Sequence, residues 1–477
     1  MQRRTFLRGT AVAALAAVPL GTSMSVDASA ADKPVSTLAE LQNAINGAAP
    51  GDRIIVADGT YTVPAGGAIN ISGKNGTSAA PITIVSKSRG GAVLRGERGF
   101  VLANSSNIVI SGFSFRQSTT LEIPESCSSI RLTRNDFQHV DTGDPYWVVV
   151  RANDTKVDRN HFHNKTTTGI FLIVDGPDST DDMAQNVHIF RNHFSDHSFS
   201  GDNGGECVRL GVSGRALSAA NAVVEYNLFE RANGDPEAIS VKSSDNTIRY
   251  NTIRDSRGGI VLRHGNRSRV EGNYLIGGEE GVRLYGNDHV VVNNYLAGLS
   301  KRALVVGSGT TRDHNSGETQ EERRGNDACD RAVIAHNTLV DNAGMLSGET
   351  NRTYEPRDVV IADNLLVGST GSLVEMGTTT NFTWKTNMLW GAAANGNIPA
   401  GGFTRADPKL VAGPDGVFRL SAGSPAIGAA TLTGTTVADD IDGDQRGSTR
   451  DIGADEYATQ PALRHPLTTA DVGPNAA

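Results

Sequence analysis

A short apolar alternation followed by Asn, any residue, and Phe, Leu or Ile recurs through most of this chain. It appears as Ile130-Arg-Leu-Thr-Arg-Asn135-Asp-Phe137 and as Val157-Asp-Arg-Asn160-His-Phe162. Further copies place the asparagine at Asn192, Asn227, Asn251, Asn273, Asn294, Asn337, Asn364 and Asn387. Successive spacings are 25, 32, 35, 24, 22, 21, 43, 27 and 23 residues. The short ones cluster at 21 to 25, and the longer ones read as the same unit with an inserted loop. A repeat of this kind means that neighbouring units stack on each other and share one core.

Each unit holds short period-2 runs rich in Val and Ile, broken by Gly, Asn, Asp and Ser. That is strand and turn chemistry, with little helical periodicity. A strand repeat of about 22 residues predicts an all-β chain, a right-handed parallel β-helix in which each coil lies on the one before. Residues one coil apart then sit about 4.8 Å apart. Asparagines at one recurring position would form a hydrogen-bonded ladder in a turn, holding the fold and doing no chemistry.

The ends read differently. Residues 1–30 form an export signal, with Arg3-Arg4-Thr5-Phe6-Leu7-Arg8 ahead of an apolar run to Leu20 and a small-residue cleavage site at Ala28-Ser29-Ala30. The paired arginines resemble a twin-arginine signal, and a general secretory signal is the alternative. Either places the chain outside a bacterial cytoplasm, secreted or periplasmic. The apolar run is too short to span a membrane, and no membrane insertion of the mature chain is expected. Thr37-Leu-Ala-Glu40 is a capping box opening a short helix to Ile45, placed to cap the first coil. The solenoid is expected over 31–457, with 458–477 as a loose tail.

Three scattered cysteines, Cys127, Cys207 and Cys329, do not make a disulfide framework and read as buried thiols. Net charge is −8, and setting aside the first 30 residues, with three arginines and one aspartate, makes it −10. Such an acidic chain is not a nucleic-acid binder. A polar insert at about 309–330, between Asn294 and Asn337, carries Arg312, His314, Arg323 and Arg324. It is either a wall of a binding face or a surface loop without a role.

Chemistry gathers between Asp235 and Asn266. Asp235 and Glu237 share a face if the segment is extended, and two unpaired carboxylates there suit a hard cation such as Ca²⁺. Asn203, in Gly201-Asp-Asn203-Gly-Gly-Glu206-Cys-Val-Arg209 one coil earlier, is able to add an amide oxygen. The same acids also suit a plain Gly-Asp-Pro turn. Lys242 and Arg263 are 21 residues apart, one repeat, so they should project side by side from adjacent coils. Beside Arg263 and a bound cation, Lys242 would be pushed toward its neutral form, a competent general base. An anionic uronate fits this set. With its carboxylate neutralised, the C5 proton goes to the lysine and the 4-O group leaves, a β-elimination.

These motifs resemble polysaccharide lyase family 6, the alginate lyases and chondroitinase B. The resemblance is sharpest at Asn203-Gly-Gly-Glu206, Glu237-Ala-Ile-Ser-Val-Lys242-Ser and Leu262-Arg263-His264-Gly-Asn266, and covers nearly the whole mature chain. It implies Lys242 as base, Arg263 as acid or stabiliser, His264 and Arg209 as substrate contacts, and Asn203, Asp235 and Glu237 as calcium ligands. One position departs from the family pattern: Asp235 stands where glutamate is usual, which shortens that arm. The substrate implied is a uronate polysaccharide, alginate first and dermatan sulfate as the alternative.

Two other classes stay open. A hydrolase on the same solenoid would need an acid pair flanking the bond, and the adjacent cations would keep Asp235 and Glu237 ionised. A non-catalytic carbohydrate-binding β-helix would bind without turnover.

Overall fold

The structure, a computed structural model, describes residues 32–143, 146–433 and 437–477. The export signal lies outside them. Three long sheets carry the fold, with 14, 14 and 11 strands, and every strand in them pairs in parallel with its counterpart one coil away. The coil around Asn251 is representative: Thr247–Arg249 in the first sheet, Thr252–Arg254 in the second, Gly259–His264 in the third. This is the parallel β-helix that the repeat implies.

The repeat's two marked positions have separate jobs. The residue before each ladder asparagine adopts a left-handed conformation, from Arg134 (φ 56°) through Tyr250 (φ 55°) to Thr386 (φ 54°). That single bend turns the chain from the first sheet to the second, at a steric cost for any residue with a Cβ. The asparagine then offsets it. Asn251 Nδ2 donates to Asn273 Oδ1 (3.0 Å) and to Val224 O (2.9 Å), while its own Oδ1 accepts from Asn227 Nδ2 (3.0 Å). The same bonds run unbroken from Asn135 to Asn387, and the ladder asparagines are buried. Two residues on, the apolar side chain enters the core. Phe115, Phe137, Phe162, Phe194 and Phe229 stack there with ring centroids 4.5 to 5.0 Å apart, the spacing of the strands.

The helix Leu38–Asn46 forms with both halves of its capping box and buries Leu41 and Ile45 against the first coil. Cys127, Cys207 and Cys329 are free and buried. Among the described residues no helix is long and apolar enough to cross a membrane.

The C-terminal part differs from expectation. The coils end with the strand Phe403–Arg405, and an antiparallel pair, Leu410–Ala412 with Phe418–Leu420, follows. From there to Tyr457 the chain forms no coil but folds back on the second sheet. Val417, Ile441 and Ala454 pack on Tyr274, Tyr295 and Val340. The cause is legible: this Gly-, Pro- and Asp-rich segment uses its carboxylates to hold backbone amides. Asp440 takes Asp444 N and Glu456 N, and Asp451 takes Gly428 N and Tyr457 N. Nor is 458–477 loose. Leu467 and Val472 pack on Leu228, and Arg134 and Arg159 donate to the carbonyls of Ala476 and Ala477.

Candidate active site

The third sheet carries the candidate residues on its outer surface. Its strands Glu237–Lys242 and Gly259–His264 are six residues long, against three for the flanking Val208–Leu210 and Val282–Leu284. Val208, Leu210, Ile239, Val241, Ile260, Leu262, Val282 and Leu284 are all buried in the core. Between them Arg209, Ser240, Val261 and Arg283 stand in one register row facing outward.

Lys242 and Arg263 are not strict equivalents. The ladder shifts after Val241, which pairs with Leu262, and Lys242 then pairs with His264. Arg263 is therefore the extra residue of a bulge, which re-aims its side chain. The one-repeat spacing put Arg263 opposite the lysine; the bulge puts it one place earlier.

Four cations and three carboxylates meet here. Glu237 Oε1 accepts from Arg263 Nη1 and Arg283 Nη2, each at 3.2 Å, and its Oε2 accepts from Ser240 Oγ at 2.6 Å. Lys242 Nζ lies 3.6 Å and Arg209 Nη1 3.9 Å from Glu206 Oε1. Arg209 also donates to the Tyr146 hydroxyl (3.2 Å) and lies over that ring. Asp235 Oδ2 takes Gly205 N at 2.8 Å, and its Oδ1 takes Glu237 N at 2.6 Å. Burial, then the neighbouring Glu206 charge, pushes the Asp235 carboxyl up to about 7.

The three expected calcium ligands have other surroundings here. Asn203 is exposed, Asp235 spends both oxygens on backbone amides as a turn clamp, and two guanidinium groups already hold Glu237. Among the described residues, no three His, Cys, Asp or Glu of this site bring ligand atoms within 4.8 Å of one another. These two bonds are those of a turn residue, which the Gly-Asp-Pro context also allowed. The donors, as placed, do not fit a calcium cage.

His264 is 3% exposed. Burial, Arg263 and Lys242 together drive its imidazole down to about 3, so the ring is neutral. The substrate contact implied for His264 would be made by a neutral, largely buried ring. The insert covers this side: buried Arg323 donates to Gly214 O (2.9 Å) and Asp181 Oδ2 (3.0 Å), tying the insert to loops of earlier coils. It is a tethered segment rather than a free loop.

One residue of the site, Arg283, lies outside these motifs. Arg283 was visible as a repeat, because Val282-Arg283-Leu284 copies Val208-Arg209-Leu210 in the same register. Glu206 stands in the Asn203-Gly-Gly-Glu206 motif, but its place beside Lys242 and Arg209, with both oxygens buried without a hydrogen bond, shows only in the structure.

Known proteins bear on this geometry. Residues 35–366 match the family model of chondroitinase B. In structure the chain is similar to the PL6-family alginate lyase AlyGC, with 27% identity and a TM-score of 0.71 over 82% of this chain and 56% of that one. It thus spans little more than half of AlyGC. A mannuronic acid-specific polysaccharide lyase family 6 enzyme from human gut microbiota aligns with TM-score 0.69 and 24% identity, over 79% of this chain and 91% of that one. The PL6 polysaccharide lyase of Pseudopedobacter saltans gives 0.63 and 21%, over 93% and 99%. These last two likenesses speak to fold. No curated protein sequence matches the chain. The match over 35–366, on a β-helix of the same kind, means that this chain belongs to the chondroitinase B family, within the family 6 polysaccharide lyases.

Proposed function

We propose that the chain cleaves a uronate polysaccharide by β-elimination, acting on alginate. The observation that carries this reading is the set on the third sheet: a lysine beside a bulged arginine, flanked by Arg209 and Arg283. A row of cations on a rigid surface suits a polyanionic chain despite the acidic whole. Alginate is favoured by the alginate lyase AlyGC, the relative named above with the highest identity.

The uronate carboxylate is held by the guanidinium groups of Arg263 and Arg283, which trade part of their contact with Glu237 for it. Lys242 takes the C5 proton. The electron pair left behind forms the C4–C5 double bond as the C4–O bond breaks, and the departing oxygen takes a proton from Arg263 or from a water that it orients. Arg209, steadied by Tyr146, binds a neighbouring sugar carboxylate. His264 supports the bulge from behind. No step runs through calcium.

Dermatan sulfate is the second substrate reading, favoured by the chondroitinase B match. Ultraviolet absorbance during incubation with polymannuronate, polyguluronate, dermatan sulfate and polygalacturonate decides. A rise on an alginate block is the expected result; a rise on dermatan sulfate alone moves the substrate. New reducing ends without absorbance would mean hydrolysis, and neither signal would leave a binding module.

A further inference from the structure

On the outer face of the second sheet, a different sheet from the one bearing Lys242, Asp136, His161 and His163 stand together. Asp136 and His161 are paired on adjacent strands, and His163 lies two residues beyond His161, so strand alternation puts all three on one face. Phe137 and Phe162, the residues between, point into the core. Each of the three offers a ligand atom within 4.8 Å of the other two, the sole such group among the described residues. Asp136 Oδ2 is 2.9 Å from His163 Nε2 and 3.8 Å from His161 Nδ1.

His161 Nε2 lies 3.0 Å from the Ser195 hydroxyl, and its Nδ1 faces the Asp136 carboxylate at 3.8 Å, too far for a hydrogen bond. When the hydroxyl accepts from Nε2, Nδ1 turns a lone pair toward that carboxylate, and the two electron-rich atoms repel unless a cation lies between them. Arg116 does not relieve this, because its guanidinium is engaged by the other oxygen, Asp136 Oδ1. An outer hydrogen bond on the far ring nitrogen is also how metal-bound imidazoles are held.

We propose that Asp136, His161 and His163 bind one Zn²⁺ ion and clamp two adjacent coils outside the lyase groove. Two imidazoles and a carboxylate suit zinc, whereas calcium takes six to eight oxygens. The side chains are 24%, 26% and 14% exposed, which leaves a fourth position to water. The rings of His161 and His163 stack with centroids 4.1 Å apart, so binding swings His163 out of the stack. It also takes the place of the hydrogen bond between His163 Nε2 and Asp136 Oδ2, with the proton of the neutral ring carried on Nδ1.

The test uses the full chain without a histidine tag, stripped of metal and titrated with Zn²⁺ against a chromophoric chelator. Expected are one ion per chain, no competition from calcium, and a thermal midpoint that rises with zinc. Co²⁺ in place of zinc should give visible bands of a low-coordinate nitrogen and oxygen site. His163→Gln and Asp136→Asn should each weaken binding by about a hundredfold or more. Zinc binding with unchanged affinity in both variants would overturn the proposal, as would the absence of stoichiometric zinc or of the cobalt bands. Should a variant fail to fold without metal, the cobalt spectrum and zinc stoichiometry of the unmodified chain still decide.

Discussion

Lys242 Nζ lies 3.6 Å from Glu206 Oε1, and that carboxylate, 1% exposed, accepts no hydrogen bond. Arg209 approaches the same oxygen. A buried carboxylate without hydrogen bonds is a costly thing to keep. Its neighbours explain it better than stability does: it fixes the positions of two cations that face the substrate groove.

Glu206 should therefore act through Lys242. Glu206→Gln is expected to lower kcat about tenfold, or about 1.4 kcal/mol, because the lysine loses its anchor. KM should fall with it, since one negative charge leaves a site for a polyanion. Lys242→Ala should cost about 10²- to 10⁴-fold in kcat, the usual range for a lost general base, with KM nearly unchanged. Steady-state kinetics on the substrate found active separates the two patterns. Wild-type kinetics in Glu206→Gln would remove the anchoring role.

Chelation tests the charge arrangement directly. With Asp235 tied to two amides and Glu237 to two arginines, turnover should survive a calcium chelator within about twofold, a change under 0.5 kcal/mol. Loss of turnover that added calcium alone restores would mean that Asn203, Asp235 and Glu237 regroup around an ion. Arg283→Ala should then be mild, whereas in the arginine reading it should cost kcat as heavily as an oxyanion donor, about 10²-fold or more.

The asparagine ladder has a sharper energetic consequence. Asn251→Leu fills a similar space but leaves Val224 O, Asn227 N and Asn227 Nδ2 short of a partner. At about 1 to 3 kcal/mol for each buried group left unpaired, the loss should reach roughly 3 kcal/mol or more. Asn135 begins the ladder, with no asparagine rung before it, and Asn135→Leu should cost less. Denaturant unfolding of both variants measures the difference; equal, small losses would reduce the ladder to packing.

Much of the fold was legible because a coil repeats its constraints. Asn251 and its copies mark the bend, the residue two beyond marks the core, and each unit confirms the others. The site was legible only where it obeyed that period. Lys242 and Arg263 follow from it, Arg209 comes instead from the family motif, and Arg283 follows once the Val-Arg-Leu pair is noticed. The bulge at Arg263 is a one-residue slip, which no spacing distinguishes from turn variation. The acids were harder, since a carboxylate's role depends on which donors reach it first. Asp235 is claimed by amides of Gly205 and Glu237, and backbone amides leave no mark in a sequence. The back-folded C-terminal segment lacks the period altogether, so its packing on Tyr274 and Leu228 had no precursor signal.

Acid stability should be governed by buried neutral histidines, and His289 gives the clearest case. Its ring is 1% exposed. Nε2 donates to Tyr285 O (2.8 Å), while Nδ1 accepts from Ser268 N (3.1 Å). A second proton on Nδ1 would meet that N–H head-on, and burial drives the imidazole down to about 4. A base whose folded value lies below its unfolded value contributes stability above the unfolded value, near 6.5. That contribution is lost as pH falls toward 4, because the unfolded chain binds the proton more readily. A shift of this size is worth at most about 3 kcal/mol, at about 1.4 kcal/mol per unit. His289→Gln is able to keep both hydrogen bonds without titrating. It should leave the thermal midpoint at pH 7.5 nearly unchanged and flatten its fall toward about pH 4. A variant that loses stability in parallel with the native chain at every pH would shift the acid limb to His139, His264 and His336, which burial holds neutral in the same way.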